Sequence, residues 1–403
     1  MLKKIDINDL VVGMYVEAIA DQEGVKKVSQ RGVITSEQAL EALKSAGVST
    51  VIVDTGKQIN LKAEKKPSQQ STNQSSSDLE KSALNEKMPE NFQLQCTRAH
   101  QIYREAKKVL KKSIQNWSKG EVLDVEKFKV LSENLIDGLL EDTDSMHLVT
   151  MIRHKDEYLL EHSINVALLM AAFALHMELS REVARELTLG AFLHDIGKVK
   201  VDEKILNKPG PLTKEEFEHI KEHVKYGLEA VANDPNVSDT ARCVIGEHHE
   251  FLDGSGYPGK LIGEQISLYG RMATIVDTYD AITSDRCYQD GQISSKAFRI
   301  MLQNTESQYD TELVGKFVKC MGVYPVGSLV ELSRGKIGVV IRSNSANPLR
   351  PLVKVFYNLK QQHYVEPVDV DLSRAFEKDE IKRSHRGEDL KLDIPRFFEE
   401  FII

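Results

Sequence analysis

Residues 192–231 read FLHDIGKVKVDEKILNKPGPLTKEEFEHIKEHVKYGLEAV, and this stretch decides the class of fold. Thr213 and Glu216 form a capping box directly after the Pro209-Gly210-Pro211 turn, so a helix starts there. Phe217, Ile220, Val224, Leu228 and Val231 then recur at spacings of three and four, which gives that helix one apolar face. Upstream, His194 and Asp195 are adjacent. Side chains one residue apart on a helix point about 100° apart, so the pair converges only at a helix end or an irregular turn, and Gly197 permits such an ending.

Working outward, residues 145–323 hold further helical patterns and little strand-like alternation, so the core is helical. Before them, Ala99, Ile102, Ala106 and Val109, then Phe128, Leu131, Leu135 and Leu139, mark two helices that resemble a hairpin over residues 93–144. Its outer face either joins protomers in a homodimer or packs on the next domain. From Lys65 to Asp78, KKPSQQSTNQSSSD has no hydrophobic residue to offset its ordering entropy, and residues 65–92 are read as a flexible linker. Residues 1–64 form a small α+β domain, with strand-like runs Val11 to Ile19 and Val48 to Val53 and a short helical pattern from Ser36 to Ala46. After Tyr324, VGSLVELSRGKIGVVIRS and PLVKVFYN alternate, with Arg334-Gly335 as a hairpin turn, so residues 324–403 are a β-rich extension. The class is mainly α, with a small α+β domain before the helices and β structure after them.

Of the 403 residues, 41% are hydrophobic and 28% charged, and 53 cationic side chains against 61 carboxylates leave a net charge of −8. That balance offers no global positive field for a DNA backbone. The longest apolar run, Val166 to Leu175, falls short of the roughly 20 residues of a bilayer span. The start, MLKKIDINDLVVGMYV, lacks a continuous apolar stretch, so a cytoplasmic location is expected. Cys96, Cys243, Cys287 and Cys320 show no CxxC pairing and read as reduced thiols.

The chemistry lies in the company the histidines keep. His194-Asp195 in FLHDIGK, His248-His249 in GEHHE and Asp277 in RMATIVD are imidazole and carboxylate donors, which suit divalent iron, manganese, nickel or zinc. No thiolate stands beside them, which disfavours a structural zinc site. A lone histidine on an apolar helix is more often a packed residue. Joint occurrence carries the reading.

In order, HS (162–163) followed by NVA, HDIGK (194–198), ILNKPGPLT (205–213), IKEH (220–223), HHE (248–250), DGSGYPG (253–259) and DTYDAITSDR (277–286) together resemble the HD-GYP phosphodiesterase family. The resemblance covers roughly residues 145–370, and the GMYV region resembles a domain that often precedes HD-GYP domains. It implies a helical HD-type fold whose metal cluster cleaves cyclic dinucleotides. It assigns His162, His194, Asp195 and Asp277 to one divalent transition metal ion and His223, His248 and His249 to a second, with Asp195 bridging. It further implies that Lys198 contacts the scissile phosphate, that Arg286 contacts substrate, and that Asp280 serves the substrate site by orienting Lys198 or the base. Tyr257 can stack on a base or hydrogen-bond to a phosphate. The loop around it is also where family members meet partner proteins.

Two departures matter. Some members carry a glutamate for a third metal where this chain has Tyr158, flanked by Glu157 and Glu161, so two ions are expected. Cys287-Tyr288-Gln289 stands where Pro-Tyr-Arg or Pro-Tyr-Lys is usual, which leaves both cyclic di-GMP and 3′3′-cyclic GMP-AMP open as substrates. His100, His147, His154, His176, His219, His363 and His385 receive no role. The competing readings are an HD-type phosphohydrolase of other nucleotides, against which the DGSGYPG loop argues, and a non-catalytic effector acting through that loop, whose hallmark would be missing donors.

Overall fold

The computed structural model describes residues 2–11, 14–22, 32–33, 43–44, 48–54, 90–151, 158–206, 208, 210–285, 291–305, 307–374 and 376–401. The chain divides into two compact units, Met1–Ser75 and Ser76–Ile403. Of the linker expected over residues 65–92, residues 65–89 lie outside the described residues, as does most of the helix expected from Ser36 to Ala46, while residues 90–92 are helical.

The first unit is an antiparallel sheet of β1 (Leu2–Asp6), β2 (Tyr15–Gln22), β3 (Gly32–Val33) and β4 (Val48–Asp54), in the order β1-β4-β2-β3. Ile7, Leu10, Val16, Val48, Val51 and Val53 form its core. The strand expected from Val11 starts at Tyr15 instead, and Val11 stands exposed before it.

The second unit begins with α1 (Glu90–Ser118) and α2 (Val125–Val149). Ala99, Tyr103, Ala106 and Leu110 from α1 and Phe128, Leu131 and Leu135 from α2 share one core with the helices that follow. The hairpin is therefore packed on the next helices and is no separate connector. Those helices are α3 (Tyr158–His176), α4 (Arg181–Leu193), α5 (Lys214–Ala230), α6 (Asp239–Glu247), α7 (Leu268–Thr283), α8 (Ser294–Gln303) and α9 (Thr311–Met321). Local chemistry sets several starts. Ser180, Ser238, Ser267 and Asp310 each accept from a backbone N–H of the first turn, and the Thr213–Glu216 capping box forms as the pattern predicts. Phe217 departs from its expected buried place and is 44% exposed.

Helix α3 is longer and more apolar than the run Val166 to Leu175 indicated. Its window Leu159–His176 is long and apolar enough to cross a membrane, but 78% of it is buried inside the protein. It is the central core helix, and its polar residues Glu161, His162, Ser163 and Asn165 are buried too.

The extension is an antiparallel sheet in the order β8-β7-β6-β5-β9, built from β5 (Leu329–Leu332), β6 (Lys336–Arg342), β7 (Leu352–Asn358), β8 (His363–Asp371) and β9 (Ile381–His385). Gly335, at φ +80°, makes the expected β5–β6 turn. One face, with Ile337, Val339, Ile341 and Phe356, packs on Phe92 and Cys96 of α1, Leu148 of α2 and Phe397 and Phe398 of α10 (Ile394–Phe401). Arg342 reaches Asp142 at 2.8 Å, where α2 departs from helical dihedrals. The sheet thus shares a core with α1 and is more than an appendage.

Candidate active site

Helix α4 stops at Leu193, so His194 sits at its C-cap and Asp195 already has irregular dihedrals (φ −101°, ψ 5°). The adjacent pair converges for the reason the sequence indicates. Gly197 has a different role from the expected one. Its φ is not positive, and a Cβ there would lie 1.9 Å from the carbonyl oxygen of His223, so the missing side chain lets the turn rest on α5. That contact brings the His194-Asp195 turn against the helix of His223. His248 is the C-cap of α6, His162 comes from α3, and Asp277 and Asp280 come from α7.

The donors converge. Nε2 of His162 and of His194 each lie 3.4 Å from Oδ2 of Asp195, while Nε2 of His223 lies 3.4 Å and Nε2 of His248 4.0 Å from its Oδ1. Asp277 approaches His162 at 3.1 Å and His194 at 3.8 Å through Oδ1, and His249 at 3.6 Å through Oδ2. Two sets with metal-ligand geometry result: His162, His194 and Asp195, and Asp195, His223, His248 and His249.

Whether these groups suit cations is decided by their hydrogen bonds. Nδ1 of His194, His223 and His248 donates to the carbonyl oxygens of Ala191, Ile220 and Ile245, at 2.7, 2.7 and 2.9 Å. Each Nε2 is then a bare lone pair. Yet Nε2 of His223 faces Nε2 of His248 at 3.3 Å, and Nε2 of His194 faces Nε2 of His162 at 3.3 Å. Facing lone pairs cannot satisfy one another, and Oδ1 of Asp195 is buried without a hydrogen-bond partner. Cations satisfy all of them.

Burial lowers the pKa of His223 to about 4 and of His249 to about 3, and with the neighbouring imidazoles it lowers His248 as well. All three are neutral donors at pH 7. Burial alone pushes Asp195 up, but the Lys198 ammonium and the His194 and His162 rings outweigh it and hold the carboxyl well below its usual range. Lys198 Nζ lies 2.5 Å from Asp195 Oδ2.

The DGSGYPG loop lies against the last histidines. Tyr257 packs its ring 4.6 Å from that of His249 at 34°. Gly256 has no space for a side chain: a Cβ would stand 2.5 Å from the His249 oxygen and the Phe251 nitrogen. Glu250, buried and assigned no role from sequence, accepts from the backbone N–H of Gly259 at 2.5 Å and of Leu261 at 3.0 Å, which pins the loop. Its signal was a carboxylate next to His249. Its partners, being backbone groups, leave no trace in side-chain patterns.

Asp280, expected to serve the substrate site by orienting Lys198 or the base, is 1% exposed, and its Oδ2 accepts from Nδ1 of His162 at 2.8 Å and from the Ser284 hydroxyl at 2.9 Å. It holds a histidine by the nitrogen turned away from Asp195. Glu161, near the position considered for a third metal, is buried and paired with Lys107 of α1 at 2.8 Å. Arg286 and Gln289 lie outside the described residues. A cavity of about 430 Å³ opens behind His162, lined by Asn165, Asp280, Ser284, Ser328 and Leu329 among others, and no other cluster residue borders it.

Comparison with known proteins agrees with this geometry. Residues 147–313 match the HD domain family, residues 329–377 the KOW domain associated with HD domain, and residues 2–128 a domain of unknown function. A cyclic di-GMP phosphodiesterase of Pseudomonas aeruginosa is 33% identical over 387 residues, covering 94% of this chain and 91% of that protein. A cyclic di-GMP phosphodiesterase of Thermotoga maritima is 33% identical over 45% of this chain and 50% of its own length. The 3′3′-cGAMP-specific phosphodiesterase 3 of Vibrio cholerae is 34% identical over 42% of this chain and 37% of its own. With a relative that similar along nearly its whole length, and with the HD donors gathered as described, the chain belongs to the HD-GYP phosphodiesterase family.

Proposed function

We propose that this protein hydrolyses a phosphodiester bond of a cyclic dinucleotide, cyclic di-GMP or 3′3′-cyclic GMP-AMP, to give the linear dinucleotide in bacterial second-messenger turnover in the cytoplasm. The observation that carries the reading is Asp195, whose two oxygens face two separate sets of histidine nitrogens. His162, His194, Asp195 and Asp277 would hold one divalent transition metal ion, iron or manganese, and Asp195, His223, His248 and His249 another. Such ions, when bound, supply Lewis acidity toward the phosphate and lower the pKa of the attacking water. The protein contributes position and charge. The carbonyl acceptors behind His194, His223 and His248 fix their tautomers, and Lys198 sets a cation beside the bridging carboxylate, where it offsets charge developing on the phosphate. Tyr257 walls the site on the His249 side. Arg286 is proposed as a further substrate contact. Glu161, neutralised by Lys107, argues for two ions over three.

All seven donors converge, which argues against the non-catalytic effector. The test is anaerobic incubation with Fe²⁺ or Mn²⁺ and each cyclic dinucleotide, with products resolved by chromatography beside Asp195→Ala. Linear product from the wild type and none from the variant is expected. No product at full metal occupancy would refute hydrolysis and leave the effector reading, with the loop at residues 253–259 as its surface.

A further inference from the structure

Phe217 sits on α5 six residues before His223, and 44% of it is exposed. Its ring meets that of Tyr257 nearly edge-on, with centroids 6.1 Å apart at 83°, and Tyr257 in turn lies against His249. A row of rings, His249, Tyr257, Phe217, therefore leads from the donor cluster to the surface. Lys221, one turn further along α5, holds Nζ 4.7 Å from the Phe217 centroid and 5.5 Å from that of Tyr257. Its ammonium also pairs with Glu218 at 2.7 Å, so it is held over the rings. An exposed aromatic flanked by a fixed cation, at the outer end of such a row, has the chemistry of a base-stacking surface beside a phosphate site.

We propose that Phe217, with Lys221 beside it, is the stacking platform for one purine of the cyclic dinucleotide whose phosphate lies at the histidine–aspartate cluster, an inference that rests on the function given above. The substrate has two purines joined to a ring of two riboses and two phosphates, so a base lies within a ribose of whichever phosphate occupies the cluster. Stacking is tolerant of base identity because every base has a π face. The platform thus accepts guanine or adenine alike, and discrimination between the two candidate messengers falls to other residues.

The test is steady-state kinetics on cyclic di-GMP and 3′3′-cyclic GMP-AMP at saturating metal for the wild type, Phe217→Ala, Phe217→Leu and Phe217→Tyr, with metal content measured to show that each is folded and loaded. Phe217→Ala is expected to raise KM about 5- to 100-fold for both substrates, with a smaller effect on kcat. Phe217→Leu, which keeps apolar bulk without a π face, should behave like the alanine variant, while Phe217→Tyr returns KM to near the wild-type value. A leucine variant as good as phenylalanine, or an unchanged KM in Phe217→Ala beside an active wild type, overturns the platform alone. A loaded wild type that cleaves neither substrate overturns the function and the platform together.

Discussion

His223 and His248, on one side of Asp195, turn Nδ1 onto carbonyl oxygens three residues earlier in their own chain, whereas His162, on the other side, turns Nδ1 onto Asp280, 118 residues away on α7. The first arrangement comes with the local backbone. The second requires α3 and α7 to be packed in register. A carbonyl orients a ring, and a carboxylate also adds negative charge and raises its basicity. His194, on the same side as His162, also turns Nδ1 onto a local carbonyl, that of Ala191, so His162 alone makes its side depend on tertiary packing, and the two sides should fail under different insults.

Asp195→Ala removes the member common to both halves and should have the largest effect. Turnover should fall on the order of 10⁴-fold or more, as when one member of a concerted catalytic group is lost, and metal analysis should show both sets depleted. Asp280→Asn attacks only the packed half. Metal affinity there should drop about 10- to 100-fold, so titration at limiting metal should reveal a partly loaded species in which the His223 side fills first. Equal weakening of both sides would erase the distinction. Gly197→Ala strikes the contact between the His194-Asp195 turn and α5, where the added methyl meets the His223 carbonyl. Denaturant unfolding should report a loss of about 1–3 kcal/mol.

His147 serves as a control outside both halves. Burial lowers its pKa from 6.5 to about 4. The unfolded chain therefore takes up its proton first as pH falls, so the stability contributed by the neutral ring is complete above pH 6.5 and is lost as pH drops toward 4. Its share of the loss between pH 7 and 5 is about 2 kcal/mol, and His147→Gln should flatten the urea-unfolding profile by that amount. An unchanged profile would show that the acid sensitivity lies elsewhere.

The donor types were legible because imidazole and carboxylate side chains announce themselves, and the capping box at Thr213 was legible because it is local. Long-range support was not. Nothing in DTYDAITSD shows that Asp280 lies behind a ring on α3, and the near contact of Gly197 with α5 exists only after both have folded. Strand β8 was missed for a related reason. HYVEPVDVD is half-exposed, carries Pro367, and lies at the sheet edge, where one side needs no partner. Phe217 shows the limit of periodicity, which locates a helix face without saying whether that face is covered.

Glu250 follows His249 directly in the chain, and its carboxylate is the clasp on Gly259 and Leu261. The loop is therefore a lever whose fulcrum stands one peptide bond from a donor histidine. The Tyr257 N–H donates to the His249 carbonyl at 3.0 Å, so the donor histidine and the loop are tied twice through one short stretch of backbone.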